Sequence, residues 1–331
     1  MRTILLIATG GTIASRPTAA GGLAPAITSQ ELLSCVPELA EFCRIDTIQL
    51  YNLDSTNMGP EQWQGIAAAV QENYDRYDGF VITHGTDTMG YTAAALSYMI
   101  QKSPKSVVLT GSQKSIYNRD TDARNNLWRA VAYACHPDAW GVQIVFDNKV
   151  ILGTRARKTR TKSFNAFSSI DYPETAMFRD RRLIQFLQRP AEYTHAVFST
   201  ALDPNVFVLR LVPGMRADII PMLEGRYRAL VLESFGVGGL PGGDDGAMFA
   251  AVRDWCGAGH LAVFTTQVPH EGSDLAVYEV GRAAKALPGV LEAHDMTPEA
   301  TAVKLMWVLG QTTDRAEAEK LFLTPVQWDI L

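Results

Sequence analysis

Short, continuous runs of apolar residues recur along the first half of the chain, and each is followed by a stretch with the composition of a helix. Such a run is typical of a strand that is buried on both faces of a parallel sheet. Parallel neighbours need a crossover connection, which is usually a helix. The alternation therefore predicts an α/β fold with right-handed crossovers and helices on both faces of the sheet. The predicted strands are residues 4–8, 47–50, 79–83, 106–110 and 142–146, and the predicted helices begin near Thr28 and cover 61–74, 88–100 and 122–134.

A second, shorter alternation follows a stretch without periodicity that contains Pro190 and Pro204. The length of 331 residues is enough for two domains of ordinary size. We expect a larger N-terminal α/β domain (1–186) with a mostly parallel sheet flanked by helices, a linker (187–204) and a smaller C-terminal α/β domain (205–331) with a parallel sheet. The strands predicted in the second domain are 206–211, 229–232 and 261–265, and its predicted helices are 247–255, 275–286, 298–310 and 315–323.

Charge and composition exclude several classes of function. The net charge of -5 gives no general attraction to nucleic acid or to an anionic membrane, and we expect neither as a partner. The four cysteines are too few for a disulfide framework and are expected to be buried thiols. The six histidines show no metal-ligand spacing, so we expect no metal and no other cofactor. The first apolar run is too short for a signal peptide, and we expect a cytoplasmic protein.

Glycines and polar residues directly follow four of the predicted strands. In an open parallel sheet, ligands bind beyond the carboxyl ends of the strands. We therefore expect these residues to share one edge of the sheet and to form a site there. The four segments are Thr9-Gly10-Gly11-Thr12, Asp54-Ser55-Thr56-Asn57, His84-Gly85-Thr86-Asp87 and Gly111-Ser112-Gln113.

The residue types in these segments favour acyl transfer by a threonine. A hydroxyl is a weak nucleophile near neutral pH and needs a neighbouring base, and Lys158 beside a carboxylate and a hydroxyl could supply it. Glycine amides at the turns could donate hydrogen bonds to a developing oxyanion. Simpler explanations remain open: Thr-Gly-Gly-Thr can be only a turn, residues 84–87 only a loop and helix cap, and the basic cluster 155–162 a solvated face or a phosphate site.

Two segments resemble the signature motifs of the bacterial-type L-asparaginases. They are Ala8-Thr9-Gly10-Gly11-Thr12-Ile13-Ala14-Ser15 and Thr83-His84-Gly85-Thr86-Asp87-Thr88-Met89. The resemblance covers nearly the whole chain and is closest to the cytoplasmic, type I branch. It implies hydrolysis of L-asparagine to L-aspartate and ammonia through a covalent acyl-threonine. It also implies a homo-oligomer, a dimer or a dimer of dimers, in which a C-terminal domain completes a neighbouring subunit's site.

The resemblance also implies a role for each matching residue. Thr12 matches the nucleophile, while Thr86, Asp87 and Lys158 match the second threonine and the charged pair of a Thr-Lys-Asp triad. Thr86 can also activate the water of the second step. The carbonyl of Ser112 matches the one that faces the amide being released. The residues expected to bind substrate, either at its α-ammonium and α-carboxylate or through the backbone, are Gly11, Asp54, Ser55, Thr56, Gly85, Asp87 and Ser112.

The chain departs from the family pattern at three positions. Many members carry a tyrosine on the loop after the first signature, where Leu23 stands here. Tyr278 is the candidate substitute, because type I members have a tyrosine at the matching position that can approach a neighbouring subunit's site. The alternative is that Tyr278 only packs on a helix. An arginine and a cysteine line the activating asparagine site of some type I enzymes, and Glu233 and Val268 replace them here, so we expect no such activation.

Other functions remain possible from the sequence. A glutaminase or the amidase-like subunit of a tRNA amidotransferase would use the same chemistry, although the latter normally carries an extra N-terminal domain. A protein that binds small amino acids without turnover is the alternative from a different class, and Leu23 motivates it. Release of ammonia from asparagine and glutamine would separate these alternatives.

Overall fold

A computed structural model describes residues 1–17, 23–241 and 246–331 of the chain. The chain divides into two units, residues 1–200 and 201–331. The division falls inside the stretch 187–204. However, the short strand Val197–Phe198 within that stretch pairs with Ile100–Gln101 in the first unit. The bounds of the linker, residues 187 and 204, stay a prediction.

The first unit is built on an eight-stranded sheet. Its strands follow the predicted runs as far as residue 146 and then continue through short segments that the sequence pattern did not predict. The strands of this unit are β1 (Arg2–Gly10), β2 (Ser15–Pro17), β3 (Leu23–Pro25), β4 (Cys43–Leu53), β5 (Gly79–Thr83), β6 (Ile100–Gln101), β7 (Ser106–Thr110), β8 (Gly141–Phe146), β9 (Lys149–Leu152), β10 (Ala156–Lys158), β11 (Phe167–Ser169), β12 (Ala176–Arg179), β13 (Arg182–Gln185) and β14 (Val197–Phe198).

The sheet is mixed, with its strands in the order β13-β12-β9-β8-β7-β5-β1-β4. Five neighbouring strands pair in parallel, as predicted: β8, β7, β5, β1 and β4. The other three, β9, β12 and β13, add an antiparallel edge. That edge begins where β8 turns back into β9 through Asp147, whose φ is 55°. A two-residue turn of this kind leads to an antiparallel neighbour, which explains why the parallel series stops at β8.

Four helices connect the parallel strands: α1 (Ser29–Ser34), α2 (Pro60–Asn73), α3 (Met89–Met99) and α4 (Ala123–Ala134). The predicted capping box at α1 is present, since Thr28 Oγ1 accepts a hydrogen bond from Glu31 N at 3.3 Å. On β1, Ile4 and Leu6 pack in a cluster with residues of α1 and α4. Their neighbours Leu5 and Ile7 point to the opposite face and are equally buried. Both faces of the sheet are therefore covered, which confirms the predicted fold class.

The second unit contains a four-stranded parallel sheet in the order β15-β16-β17-β18. The first three strands were predicted, and the three-residue β18 was not. The strands and α-helices of this unit are β15 (Val206–Arg210), β16 (Ala229–Ser234), α5 (Ala247–Gly257), β17 (Leu261–Thr266), α6 (Glu279–Lys285), β18 (Val290–Glu292), α7 (Pro298–Gln311) and α8 (Arg315–Leu323).

The helix predicted over 275–286 is shorter than expected, because α6 begins only at Glu279. The residues before it form a turn: Leu275 N donates to Glu292 Oε1 at 2.7 Å and Ala276 N donates to Asp274 Oδ1 at 2.9 Å. Tyr278, the N-cap of α6, has an extended backbone with φ -108° and ψ 152°, so the turn before it does not continue into the helix. Among the described residues, no helix is both long and apolar enough to cross a membrane.

Candidate active site

The carboxyl ends of four strands meet at one edge of the first sheet. In the register of the sheet, Ala8 of β1 lies beside Thr83 of β5, and Thr83 lies beside Thr110 of β7. On the other side of β1, Gly10 lies beside Leu53, the last residue of β4. The four polar segments that follow these strands are therefore neighbours, as the sequence pattern predicted.

Glycines let the first three of these segments approach each other closely. A Cβ on Gly11 would lie only 2.3 Å from Gly85 N, and a Cβ on Gly85 would lie 2.6 Å from Ser55 Oγ. Gly11 also has a φ of 79°, a conformation that favours glycine. No larger residue fits at either position without displacing its neighbours. Gly11, Gly85 and Ser55, all predicted to bind substrate, are thus placed side by side.

Thr12 opens a short 3₁₀ turn, Thr12–Ala14, directly after β1 and is partly buried. Hydrogen bonds fix this turn on both sides. The carbonyl of Gly11 accepts from Ser15 Oγ at 2.9 Å, and the amide of Gly11 donates to Leu53 O at 2.9 Å. From the loop after β7, Ile116 N donates to Ile13 O at 3.2 Å. Because the Gly11 amide is already paired, a backbone donor for a ligand must come from a neighbouring amide.

A lysine, a threonine and an aspartate form the central polar contact of this edge. Lys158 Nζ donates to Thr86 Oγ1 at 2.8 Å and to Asp87 Oδ1 at 2.6 Å. Lys158 ends β10, which pairs with β11 outside the main sheet, and its side chain is 16% exposed against 62% for Asp87. Thr86 Oγ1 in turn donates to Gln113 Oε1 at 3.3 Å. Three residues predicted to act together are thus in contact, although Lys158 lies far from the other two in the chain.

His84 precedes these residues and was treated in the sequence only as part of a loop. It is fully buried, and this burial lowers the pKa of its imidazole to about 4. Its Nδ1 lies 2.6 Å from Gly85 O and its Nε2 lies 2.9 Å from Thr92 Oγ1. A carbonyl only accepts, so Nδ1 carries the proton and Nε2 accepts from the Thr92 hydroxyl. The neutral ring therefore supports the segment that carries Thr86.

The loop after β7 is held by the start of α4. Asp122 accepts from Gln113 N at 2.9 Å and from Lys114 N at 3.1 Å. Asn126 Nδ2 donates to Gly111 O at 3.0 Å. Burial raises the pKa of the Asp122 carboxyl, although these backbone amides favour its charged form. Neither Asp122 nor Asn126 was predicted from the sequence, and the only available signal was their place at the beginning of a predicted helix.

Ser112 lies within this loop and is fully buried. Its hydroxyl donates to Lys114 O at 2.5 Å. The hydroxyl is therefore engaged within the loop, which is compatible with the expectation that Ser112 serves a ligand through its carbonyl.

The segment after β4 contains two residues with a local structural role. Asp54 caps the 3₁₀ turn Ser55–Asn57, and its Oδ1 accepts from both Thr56 N and Thr56 Oγ1 at 2.9 Å. Asp54 and Thr56 are exposed, whereas Ser55 is buried and its carbonyl accepts from Thr88 Oγ1 at 2.7 Å. Substrate binding by Asp54 and Thr56 stays a prediction.

The remaining candidate residues belong elsewhere. Tyr278 lies in the second unit, directly before α6, and 64% of the residue is exposed to solvent. This exposure shows little packing on a helix within this chain, and a part for Tyr278 in catalysis stays a prediction. Glu233 pairs with Arg210 at 3.3 Å in that unit, and Val268 is exposed. Leu23 begins β3, and the two glycines before it, Gly21 and Gly22, lie outside the described residues.

Comparisons with known proteins identify both units. Residues 3–192 match the family described as "Asparaginase, N-terminal", and residues 205–322 match the "Glutaminase/Asparaginase C-terminal domain". An L-asparaginase of Thermococcus kodakarensis is 41% identical over 96% of this chain and 96% of its own length. A glutamyl-tRNA(Gln) amidotransferase subunit of Pyrococcus furiosus is 37% identical over 97% of this chain and 75% of its own length.

Solved structures give the same result. The thermostable L-asparaginase of Thermococcus kodakarensis superposes with a TM-score of 0.93 at 38% identity, covering 99% of both chains. L-asparaginase I of Vibrio cholerae superposes with a TM-score of 0.88 at 28% identity, covering 100% of this chain and 99% of its own. A probable cytoplasmic L-asparaginase of Campylobacter jejuni gives 0.84 at 25% identity, covering 98% of this chain and 100% of its own. The chain therefore belongs to the asparaginase family of enzymes.

Proposed function

We propose that the protein hydrolyses L-asparagine to L-aspartate and ammonia, with Thr12 as the nucleophile. The observation that carries the proposal is the position of Lys158 Nζ, 2.8 Å from Thr86 Oγ1 and 2.6 Å from Asp87 Oδ1. This contact supports the proposal because a group that can donate and accept a proton lies next to a hydroxyl, at the edge of the sheet where Thr12 begins its turn. The 41% identity to the L-asparaginase of Thermococcus kodakarensis supports the same substrate.

The site suits a zwitterionic substrate. Asp87 is 62% exposed and can accept hydrogen bonds from an α-ammonium, while the Ser55 hydroxyl can donate to an α-carboxylate. Because Lys158 neutralises Asp87, a ligand with one positive and one negative group leaves the charge balance of the pocket unchanged. We assign to the carbonyl of Ser112 the role of acceptor for the amide nitrogen that departs.

In the first step, Thr12 Oγ1 attacks the side-chain amide carbon and the hydroxyl proton passes to the leaving nitrogen. The C–N bond breaks, ammonia leaves and an ester forms between Thr12 and the aspartyl group. The amides of Thr12 and Thr86 are the donors that we assign to the developing oxyanion, since Gly11 N is paired with Leu53 O. In the second step, water activated at Thr86 attacks the ester. This releases aspartate and regenerates free Thr12.

Tyr278 is our candidate for the group that replaces the loop tyrosine in activating Thr12. Its exposed position is compatible with contact to a second subunit. We accordingly propose a homo-oligomer, a dimer or a dimer of dimers, that acts in the cytoplasm. Similarity to the probable cytoplasmic L-asparaginase of Campylobacter jejuni supports the location.

The test is ammonia release from L-asparagine by the wild type and by Thr12→Ala. We expect turnover in the wild type and a loss of at least about 10³-fold in the variant, because nucleophile removal abolishes the acyl-enzyme route. Thr12→Ser keeps a hydroxyl and should retain part of the activity. Thr194→Ala, at an exposed threonine of the same unit, is the matched control and should behave as the wild type. Binding of aspartate without ammonia release by the wild type would instead indicate an amino-acid-binding protein.

The second candidate is an amidase that serves a tRNA amidotransferase, and the 37% identity to the amidotransferase subunit of Pyrococcus furiosus motivates it. The same assay separates the two candidates when glutamine is the substrate. A preference for asparagine supports the asparaginase, whereas a preference for glutamine, or activity only with added amidotransferase partner and glutamyl-tRNA, supports the second candidate.

A further inference from the structure

The hydroxyl of Thr86, a residue that is only 4% exposed, makes two hydrogen bonds of opposite direction. Lys158 Nζ lies 2.8 Å from Thr86 Oγ1 and 2.6 Å from Asp87 Oδ1. An ammonium group beside a carboxylate has no lone pair and only donates, so Thr86 Oγ1 accepts from Lys158. The hydrogen of the Thr86 hydroxyl therefore needs a different acceptor, and Gln113 Oε1 supplies it at 3.3 Å.

The side-chain amide of Gln113 has one orientation that satisfies its contacts. Gln113 Nε2 donates to the carbonyl of Ser163 at 3.1 Å. Because a carbonyl oxygen only accepts, this contact turns the NH2 group toward Ser163 and leaves Oε1 for Thr86. The backbone amide of Gln113 donates to both carboxylate oxygens of Asp122, at 2.9 and 3.1 Å. Gln113 is therefore held at its backbone and at the end of its side chain.

The partner of Gln113 lies in the loop between β10 and β11, which directly follows Lys158. A second contact holds the same loop, since Lys114 Nζ lies 5.3 Å from the centroid of the Phe164 ring. The side chain of Gln113 thus joins the Thr86 hydroxyl to the loop that begins at Lys158. This contact was not predicted from the sequence, because the three segments are far apart in the chain.

These bonds decide which part of the Thr86 hydroxyl is available to a ligand. A hydroxyl has one hydrogen and two lone pairs. Its hydrogen is directed to Gln113 and one lone pair is taken by Lys158, so the second lone pair can accept a hydrogen bond from a water molecule. Without the acceptor on Gln113, the hydrogen of Thr86 could turn toward that water and oppose this contact.

We propose that Gln113 is a positioning residue for the second step of the reaction, an inference that rests on the proposed function. By holding the hydrogen of Thr86, it leaves the hydroxyl oxygen to orient the attacking water. That water attacks the ester carbon, the bond between this carbon and Thr12 Oγ1 breaks, and one proton of the water passes to Thr12 Oγ1. The other proton stays on the new carboxyl group and is lost to solvent.

Loss of this contact should slow hydrolysis of the ester more than its formation, because the first step does not use the water. The ratio kcat/KM reports only the steps up to the departure of ammonia, whereas kcat also includes ester hydrolysis. A defect confined to the second step therefore lowers kcat and KM together and leaves kcat/KM unchanged. General damage to the site would lower kcat/KM as well.

The test compares the wild type with Gln113→Met, which has a similar length and no amide. Ammonia release from L-asparagine gives kcat and KM, and rapid acid quenching with mass spectrometry gives the fraction of Thr12 present as the ester. We expect kcat and KM to fall about tenfold at unchanged kcat/KM, with more ester at steady state. Gln113→Glu keeps an oxygen acceptor for Thr86 and should retain more of the wild-type kcat. Gln71→Met, at an exposed glutamine of α2, is the matched control and should behave as the wild type.

Gln113→Asn serves as a second variant if Gln113→Met does not fold. Its side chain is one methylene shorter and cannot reach both Thr86 and Ser163, so the same fall in kcat at unchanged kcat/KM is expected. An unchanged kcat, an equal fall in kcat and kcat/KM, or the same loss in Gln113→Glu as in Gln113→Met would overturn the inference. A wild type that releases no ammonia would instead overturn the proposed function, and this inference with it.

Discussion

Acidification provides a direct test of the buried state of His84. The ring is fully buried next to Gly85, and its pKa falls from 6.5 to about 4. The folded protein therefore takes up this proton only near pH 4, whereas the unfolded chain takes it up near pH 6.5. The stability that depends on the neutral ring is fully present above pH 6.5 and is lost as the pH falls toward 4. At 1.36 kcal/mol per pKa unit, the loss is about 3 kcal/mol.

The assay is urea unfolding at a series of pH values from 7 to 4, for the wild type and for His84→Asn. Because carboxylates also titrate in this range, the prediction concerns the difference between the two proteins. The wild type should lose about 3 kcal/mol of unfolding free energy relative to the variant. His195→Gln, at an exposed histidine, should follow the wild type. If the free energy of unfolding changed with pH equally for the wild type and His84→Asn, the assignment of a neutral, buried imidazole would be refuted.

Three further predictions concern other sites. Asp122→Asn should lower kcat for ammonia release about tenfold with little change in melting temperature, because the Gln113 and Lys114 amides lose a charged acceptor. An unchanged kcat would show that Asp122 does not support the site. Lys304→Met should lower the unfolding free energy by about 3–5 kcal/mol in urea, since it leaves Asp329, its fully buried partner at 2.7 Å, uncompensated; Lys304→Met combined with Asp329→Leu should recover part of that loss. Tyr278→Phe should lower kcat well beyond its effect on stability, and unchanged turnover would exclude Tyr278 from the mechanism.

The central strands could be predicted from sequence because each is buried on both faces and appears as an uninterrupted apolar run, as in residues 79–83. The antiparallel edge could not be predicted in this way. Each of its three strands is only four residues long. Because β13 is only partly buried, its sequence, Arg-Leu-Ile-Gln, shows no clear alternation of apolar and polar residues. The start of α6 was misplaced for a different reason: the extended backbone of Tyr278 separates the turn at residues 275–277 from the helix.

At the candidate site too, the local sequence predicted some features, whereas contacts between distant segments could not be predicted from it. The glycines and hydroxyls of residues 9–12 and 84–87 could be placed at one edge from strand order alone. The contact of Lys158 with Thr86 joins segments 72 residues apart. The residue types suggested Lys158 as a base, but only the family resemblance paired it with Thr86. The burial of His84 was not predicted, because nothing in the local sequence distinguishes a buried imidazole from one in an exposed loop.

The central claim is that catalysis proceeds through an ester on Thr12. Rapid acid quenching of the wild type during turnover of L-asparagine, followed by digestion and mass spectrometry, tests it most directly. We predict an aspartyl adduct on the peptide that contains Thr12, and no adduct in Thr12→Ala. An adduct on another residue, or ammonia release by Thr12→Ala at the wild-type rate, would contradict it.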